Sequence, residues 1–465
     1  MRIRFGTSGW RGIIAREFTW ERVERVVDGI ALFLQRQGRD TVVVGGDCRF
    51  LSPELAEYTA ERMTGYGFRV TLSQVPCPTP VLSHACVSGG LGGVVNFTAS
   101  HNPPLYNGIK FSPWHGGPAD DGMTAAIEEI IASGAKPAGG NGSVFRVDLR
   151  DAYVNTLLER LNTEAFSGSG LRVVYDAFSG TGSGILDRLL VDLGVSVRVM
   201  NGVRDPLFAG REHPEPGESG TADLSGQVLA SGASIGVATD GDADRFGIVD
   251  ENGSFVSPHD FLPLLLEYLV TVRHMEGRAV RSVTTSGLLD RVASAHGIAT
   301  VVTPVGFKYL GAEMLGGGVV LAGEESGGLS ILDHVPEKDG ILACLLACEM
   351  VCDRGRGLGE QLKGLWDRYG RVFISRMDLK LDPVLRDRIE SGYFRSVPVS
   401  VAGMEVLDVD MTDGVRMVMK NGDWVLIRLS GTEPLARVYA QSASEERRDS
   451  LLDSLRTEFE GMREE

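Results

Sequence analysis

Apolar positions along this chain follow two alternating rhythms. Residues 18–35, 53–66, 79–87 and 119–132 repeat them at helical spacing. Between these lie short β-branched or apolar runs at 41–45, 69–72 and 91–97, with the length and make-up of buried strands. Strand and helix in alternation predict an α/β fold with a mainly parallel sheet. The glycine-rich residues 134–142 read as a linker. A second unit repeats the plan, with helices at 152–161 and 183–193 and strands at 171–175, 196–200 and 234–239. A third has helices at 261–272 and 288–296 and strands at 279–284 and 319–322. From about Tyr369 the texture changes to β-branched strands and a closing helix at 444–462. The expected organisation is three related α/β domains with mainly parallel mixed sheets, at 1–140, 141–253 and 254–368, and a smaller α+β domain at 369–465.

In each α/β unit an apolar strand delivers a polar loop. The run ending at Phe97 meets Thr98-Ala99-Ser100-His101-Asn102-Pro103, and Asn102 with the prolines must turn the chain. Ser100 and His101 therefore sit at a strand end, where α/β folds keep their chemistry. A hydroxyl beside an imidazole suggests a nucleophile, although alone this is also an ordinary Ser/Thr/Asn-rich turn.

The strand at 234–239 runs into Asp240-Gly241-Asp242-Ala243-Asp244-Arg245. Three carboxylates at spacing two point the same way if strand geometry continues. Their hard oxygens suit Mg²⁺. An EF-hand would also match these aspartates, with Glu251 as its last ligand. Its obligatory glycine is replaced by Arg245, however, and its flanks read as strands. Further on, Glu325 and Ser326 lie in a glycine-rich loop, and carboxylates and hydroxyls are the usual partners of sugar hydroxyls. Arg428-Leu429-Ser430-Gly431-Thr432-Glu433-Pro434, with Arg437 beyond, combines hydroxyls, an exposed backbone and arginines into an anion nest. Phe5-Gly6-Thr7-Ser8-Gly9-Trp10-Arg11-Gly12 has similar chemistry.

Composition narrows the partners. The chain has 465 residues, 43% hydrophobic and 23% charged, which is ordinary for a globular protein. Lys+Arg number 46 against 62 Asp+Glu, a net charge of -16, which argues against nucleic acid or an anionic membrane as partner. An anionic substrate would need locally concentrated cations, and Arg11, Lys110, Arg245, Lys308, Arg428 and Arg437 supply them. No apolar run reaches membrane-spanning length and the N-terminus has no signal-peptide core, so a cytoplasmic protein, monomer or dimer, is expected. Cys344, Cys348 and Cys352 fall on one face of an apolar helix and read as packing residues, as do Cys48, Cys77 and Cys86.

These loops, in this order and across essentially the whole chain, resemble the α-D-phosphohexomutase superfamily. Thr98-Ala99-Ser100-His101-Asn102-Pro103 resembles its phosphoserine loop. Asp240-Gly241-Asp242-Ala243-Asp244-Arg245 is similar to its metal loop, Gly323-Glu324-Glu325-Ser326-Gly327 to its sugar loop, and residues 428–434 to its phosphate loop. The resemblance implies four domains around a central cleft and conversion of a hexose 1-phosphate to the 6-phosphate. Ser100 would carry the phosphoryl group, passing through a bound hexose 1,6-bisphosphate. Mg²⁺ would be held by Asp240, Asp242, Asp244 and the phosphorylated Ser100. Lys110 would be a general acid/base, with Arg11 and His101 supporting the phosphoryl group. Glu325 and Ser326 would read sugar hydroxyls, while Arg428, Ser430, Gly431, Thr432 and Arg437 hold the distal phosphate beside Arg245.

Dual glucose/mannose members often have Met and His where this chain has Glu325 and Gly328. The variant therefore resembles glucose-directed members and leaves Lys308 as candidate second acid/base. Glucosamine-directed members share the Ser-Gly-Thr phosphate loop but usually carry Gln at the Glu325 position. A metal-dependent sugar-phosphate phosphatase would share Ser100 and the aspartates without needing a distal phosphate grip.

Overall fold

The strand Gly93–Phe97 that delivers Ser100 is buried along its whole length, because it lies inside a sheet covered on both faces. In the computed structural model, which describes residues 3–430 and 434–464, this first sheet has six strands. Their order is Trp10–Ile13, Tyr106–Pro113, Gly93–Phe97, Thr41–Gly46, Arg69–Ser73 and Ser143–Val147. Its central pairs are parallel, while Tyr106–Pro113 and Trp10–Ile13 run antiparallel at one edge.

Residues 134–142, expected as a linker, instead return the chain to this sheet. Gly140 N–H donates to Gly65 O and Gly142 N–H to Thr64 O, both at 2.9 Å. Ser143–Val147 then pairs in parallel with Arg69–Ser73. A boundary at 140 would sever a strand from its sheet, and we place it after Val147.

The second sheet has the order Phe255–Val256, Phe246–Val249, Ile235–Thr239, Arg172–Asp176, Ser196–Met200. The third has the order Thr300–Thr303, Arg278–Ser282, Val319–Glu324, Gly328–Ile331. Both are parallel except at one edge, where Phe246–Val249 and Phe255–Val256 in the second sheet and Gly328–Ile331 in the third pair antiparallel. The C-terminal unit is a six-stranded antiparallel sheet packed by the helices Pro383–Ile389 and Glu445–Glu464. The architecture is therefore the expected one: three α/β units with mixed sheets and a smaller C-terminal domain.

One apolar core runs from the helix Thr79–Ser88 through the second unit to the helix Gly340–Arg354. That last helix buries Cys344 and Cys348, and all six cysteines are free thiols. The fourth unit has its own core. Among the described residues no helix is long and apolar enough to cross a membrane.

Candidate active site

The Ser100 loop is fixed by a buried pair that the apolar pattern did not mark. Asp47 and Arg49 follow the strand Thr41–Gly46 and form an ion pair with both side chains fully buried. Arg49 donates to four backbone carbonyls, those of Ser100, Asn102, Pro103 and Tyr106. Asp47 accepts from Thr98 Oγ1 at 2.7 Å, and Thr98 Oγ1 in turn accepts from Ser100 N–H at 2.9 Å. Ser100 is thereby held buried with φ at +50°, a left-handed conformation that a serine adopts only under constraint.

Ser100 Oγ donates to Asp240 Oδ2 at 2.8 Å, across 140 residues of sequence. His101 Nδ1 lies 3.4 Å from the same hydroxyl. Burial, with Arg245 and Arg11 nearby, pushes the His101 pKa far below its usual value, so the imidazole is neutral. Arg11, on the strand Trp10–Ile13, donates to Asn102 Oδ1 in the same loop.

The three aspartates converge, but not by strand alternation. The strand Ile235–Thr239 ends before them, and a tight turn with Ala243 at φ +54° brings them together. All three are buried, with one oxygen from each within 4.8 Å of the others. Lys110 Nζ donates to Asp242 Oδ2 at 2.7 Å and Asp244 Oδ2 at 2.6 Å. Lys338 Nζ approaches Asp244 Oδ2 at 3.1 Å. Thr79 Oγ1 donates to Asp242 Oδ2 at 2.6 Å.

Burial would raise each carboxyl, yet Lys110 holds Asp242 below its usual value, and Lys110 with Lys338 does so for Asp244. Asp240 has no lysine partner among the described residues. Burial and its two acidic neighbours push it well above the carboxylate range, and nearby Arg245 lowers it only in part. Asp242 Oδ1 and Asp244 Oδ1 are buried without a hydrogen-bond partner among the described residues. Unpaired carboxylate oxygens and uncompensated charge fit a hard divalent cation. Glu251, the last position of the EF-hand alternative, instead caps the helix Leu358–Tyr369 through Gly359 and Glu360 N–H groups.

A cavity of about 530 Å³ gathers His101, Arg245, Glu325, Ser326, Arg428 and Arg437, at least one residue from each of the four units. Arg245 also pairs with Glu215 at 2.5 Å. Glu325 accepts from Ser282 Oγ at 3.0 Å and Thr284 Oγ1 at 2.5 Å, while Ser326 Oγ donates to buried Glu324 at 2.6 Å. Arg428 and Arg437 are direct cross-strand partners. Ser430 follows the Arg428 strand, Trp424–Leu429, and its backbone N–H donates to Leu435 O on the Arg437 strand at 2.8 Å. Gly431 and Thr432 lie outside the described residues.

Lys308 is the exception. On the helix Phe307–Leu315, its Nζ pairs with Asp121 at 2.5 Å, joining the third unit to the first. It does not line the cavity. Sequence reasoning missed Lys338 instead. Its signal lies at Gly328, where an added Cβ would meet Lys338 Cδ at 2.2 Å. Sequence reasoning also missed Thr79 and the Asp47–Arg49 pair; the latter's signal was two opposite charges ending a fully apolar strand.

Comparison with known proteins finds matches along nearly the whole chain. Four models match in order: phosphoglucomutase/phosphomannomutase alpha/beta/alpha domain I over residues 2–138, domain II over 151–253, domain III over 257–369, and the C-terminal domain over 396–458. The chain belongs to the phosphoglucomutase/phosphomannomutase family, within the α-D-phosphohexomutase superfamily. As a member of that family it is a phosphate-transferring mutase, an isomerase. A phosphoglucomutase/phosphomannomutase of Thermococcus kodakarensis is 32% identical, covering 97% of this chain and 96% of that one. A probable phosphoglucosamine mutase of Methanopyrus kandleri is also 32% identical, covering 99% of each. The crystal structure of a putative phosphomannomutase from Thermus thermophilus superposes with a TM-score of 0.87 at 36% identity, covering 99% of each chain.

Proposed function

We propose that this family member interconverts glucose 1-phosphate and glucose 6-phosphate through phosphorylated Ser100 and a bound glucose 1,6-bisphosphate. The observation that carries the reading is the Ser100–Asp240 contact at 2.8 Å. It lies within a cluster of three carboxylates, beside His101, which lines a cavity that also holds Arg428 and Arg437. Asp240, Asp242 and Asp244 would hold Mg²⁺ with the phosphoserine. When bound, the ion would offset charge on the transferring phosphoryl oxygens.

The bond from phosphorus to Ser100 Oγ breaks as a bond to the sugar hydroxyl oxygen forms. That hydroxyl gives up its proton, and Ser100 Oγ takes one as it leaves. We assign exchange of these protons to Lys110 and Lys338, whose Nζ atoms both lie on Asp244 Oδ2, and Lys338 replaces Lys308 as the second acid/base candidate. Arg11 braces the loop through Asn102, and neutral His101 can contribute a hydrogen bond but no charge. The bisphosphate then turns over and returns its other phosphoryl group to Ser100. Glu325 and Ser326 face the sugar, while Arg428 and Arg437, with Ser430, Gly431 and Thr432, hold the distal phosphate beside Arg245.

Glu325 stands where glucosamine-directed members usually carry Gln, and on that resemblance we read a glucose-directed enzyme. The test is a mutase assay comparing glucose, mannose and glucosamine 1-phosphates, with catalytic glucose 1,6-bisphosphate and Mg²⁺. Glucose 1-phosphate should show the highest kcat/KM. Faster turnover of mannose 1-phosphate would establish a mannose-directed enzyme, and faster turnover of glucosamine 1-phosphate an amino-sugar one. Intact mass should show one phosphoryl group added to the parent by the bisphosphate and none to Ser100→Ala.

A further inference from the structure

The turn between the strands Met404–Asp410 and Val415–Met419 belongs to none of the family loops, yet it touches one of them. Asp413 in this turn pairs with Arg428 Nη2 through Oδ2 at 2.7 Å. The same oxygen accepts from the backbone N–H of Val305 at 2.9 Å. Val305 belongs to the third domain and lines the cavity. Three residues along, Lys308 is fixed to Asp121 of the first domain, so this third-domain segment is braced from both sides.

The turn is built to this position. Thr412 N–H and Oγ1 both donate to Asp410 Oδ1, at 2.8 and 2.5 Å. Gly414 has φ +101°, and a Cβ there would lie 2.3 Å from Ile427 O and 2.8 Å from Arg428 Cγ. Only glycine lets the turn press this closely on the stem of Arg428. Arg428 also stands directly opposite Arg437, where like charges repel, and Asp413 offsets that repulsion. Arg428 Nε is buried without a hydrogen-bond partner among the described residues, which leaves it a donor to offer.

We propose that Asp413 is a positioning residue for the distal-phosphate grip, orienting Arg428 and tying it to the cavity wall at Val305. An unheld arginine loses rotamer freedom when it takes an anion; one already held loses less and binds more tightly. The inference rests on Arg428 being the distal grip.

The test is Asp413→Asn, which keeps an acceptor for Val305 N–H but removes the ion pair. Readouts are steady-state kinetics with glucose 1-phosphate, inhibition by inorganic phosphate, and thermal midpoint. KM and the phosphate inhibition constant should each rise about fivefold, the scale of a partly exposed ion pair, with kcat and midpoint little changed. In an Arg428→Ala background, Asp413→Asn should add nothing further to KM. Unchanged constants, tighter phosphate binding, a loss confined to kcat, or full additivity with Arg428→Ala would overturn the proposal. Separately, an unchanged KM in Arg428→Ala alone would remove the grip assignment itself.

Discussion

Lys338 fills the space that a side chain at position 328 would need: a Cβ on Gly328 would lie 2.2 Å from Lys338 Cδ and 2.7 Å from its Cγ. The glycine is what lets the lysine stem cross the sugar loop and bring Nζ to Asp244. Lys338→Met should therefore lower kcat about 100-fold or more, the usual scale for a lost acid/base group. Gly328→Ala should lower kcat in the same direction by displacing the stem, with KM little changed. The double variant should be no worse than Lys338→Met. Parent-like turnover in Gly328→Ala would show that this lysine is not needed where the structure puts it.

The aspartate cluster leads to a binding prediction with a readout other than turnover. Mg²⁺ should stabilise the parent protein by about 2.7 kcal/mol at a hundredfold excess over Kd, as any ligand of the native state does, and so raise its thermal midpoint. Asp242→Asn should lose most of that rise, because it neutralises a ligand whose Oδ1 has no other partner among the described residues. An equal Mg²⁺-dependent rise in the variant would place the cation elsewhere.

Arg49 combines a structural and a functional burden. Replacing it with Met leaves Asp47 buried and uncompensated and frees the four carbonyls that set the Ser100 loop. The expected loss is about 3–5 kcal/mol in denaturant unfolding, together with a fall in kcat. A variant as stable as the parent would mean that the pair is dispensable.

Two imidazoles outside the site, His84 and His115, contribute to a pH dependence of stability, together with the buried His101 and His259, which burial lowers in the same direction. Burial lowers both His84 and His115 from the ordinary value of 6.5, and His334 pushes His84 further the same way. Below that value the unfolded chain takes up protons that the native state refuses. Native stability should thus be full above about pH 6.5 and fall as pH drops towards the depressed native values. Chemical denaturation at about pH 7.5 and pH 5.5 checks the sign, and His84→Gln with His115→Asn should reduce the slope, leaving the share of His101 and His259. A slope unchanged in that double variant would assign it to other groups.

Much of the fold was legible because its strands are apolar and its helices periodic. The strands 41–45, 69–72 and 196–200 lie within a residue or two of Thr41–Gly46, Arg69–Ser73 and Ser196–Met200. The strand Tyr106–Pro113 was not legible. It carries Asn107, Lys110 and Ser112, all buried, and its apolar alternation is confined to Ile109 and Phe111. Ile109 and Phe111 pack into the core, while Lys110 reaches the aspartates from inside the sheet, so the strand's polar positions serve the site.

The chain alone marked the loops proposed to carry the chemistry, since each is a break in an apolar run followed by clustered polar and charged groups. It also determined the order of the units and, through the joint resemblance of four loops, the superfamily. What only the tertiary structure decided were relations across long stretches of sequence: Ser100 with Asp240, Lys110 and Lys338 on one carboxylate oxygen, and Arg428 with Asp413 and Val305. Local pattern sets what a segment can be. Which lysine reaches a buried aspartate depends on the space left beside its stem, and a glycine ten residues upstream of Lys338 reveals that space only once the chain is folded.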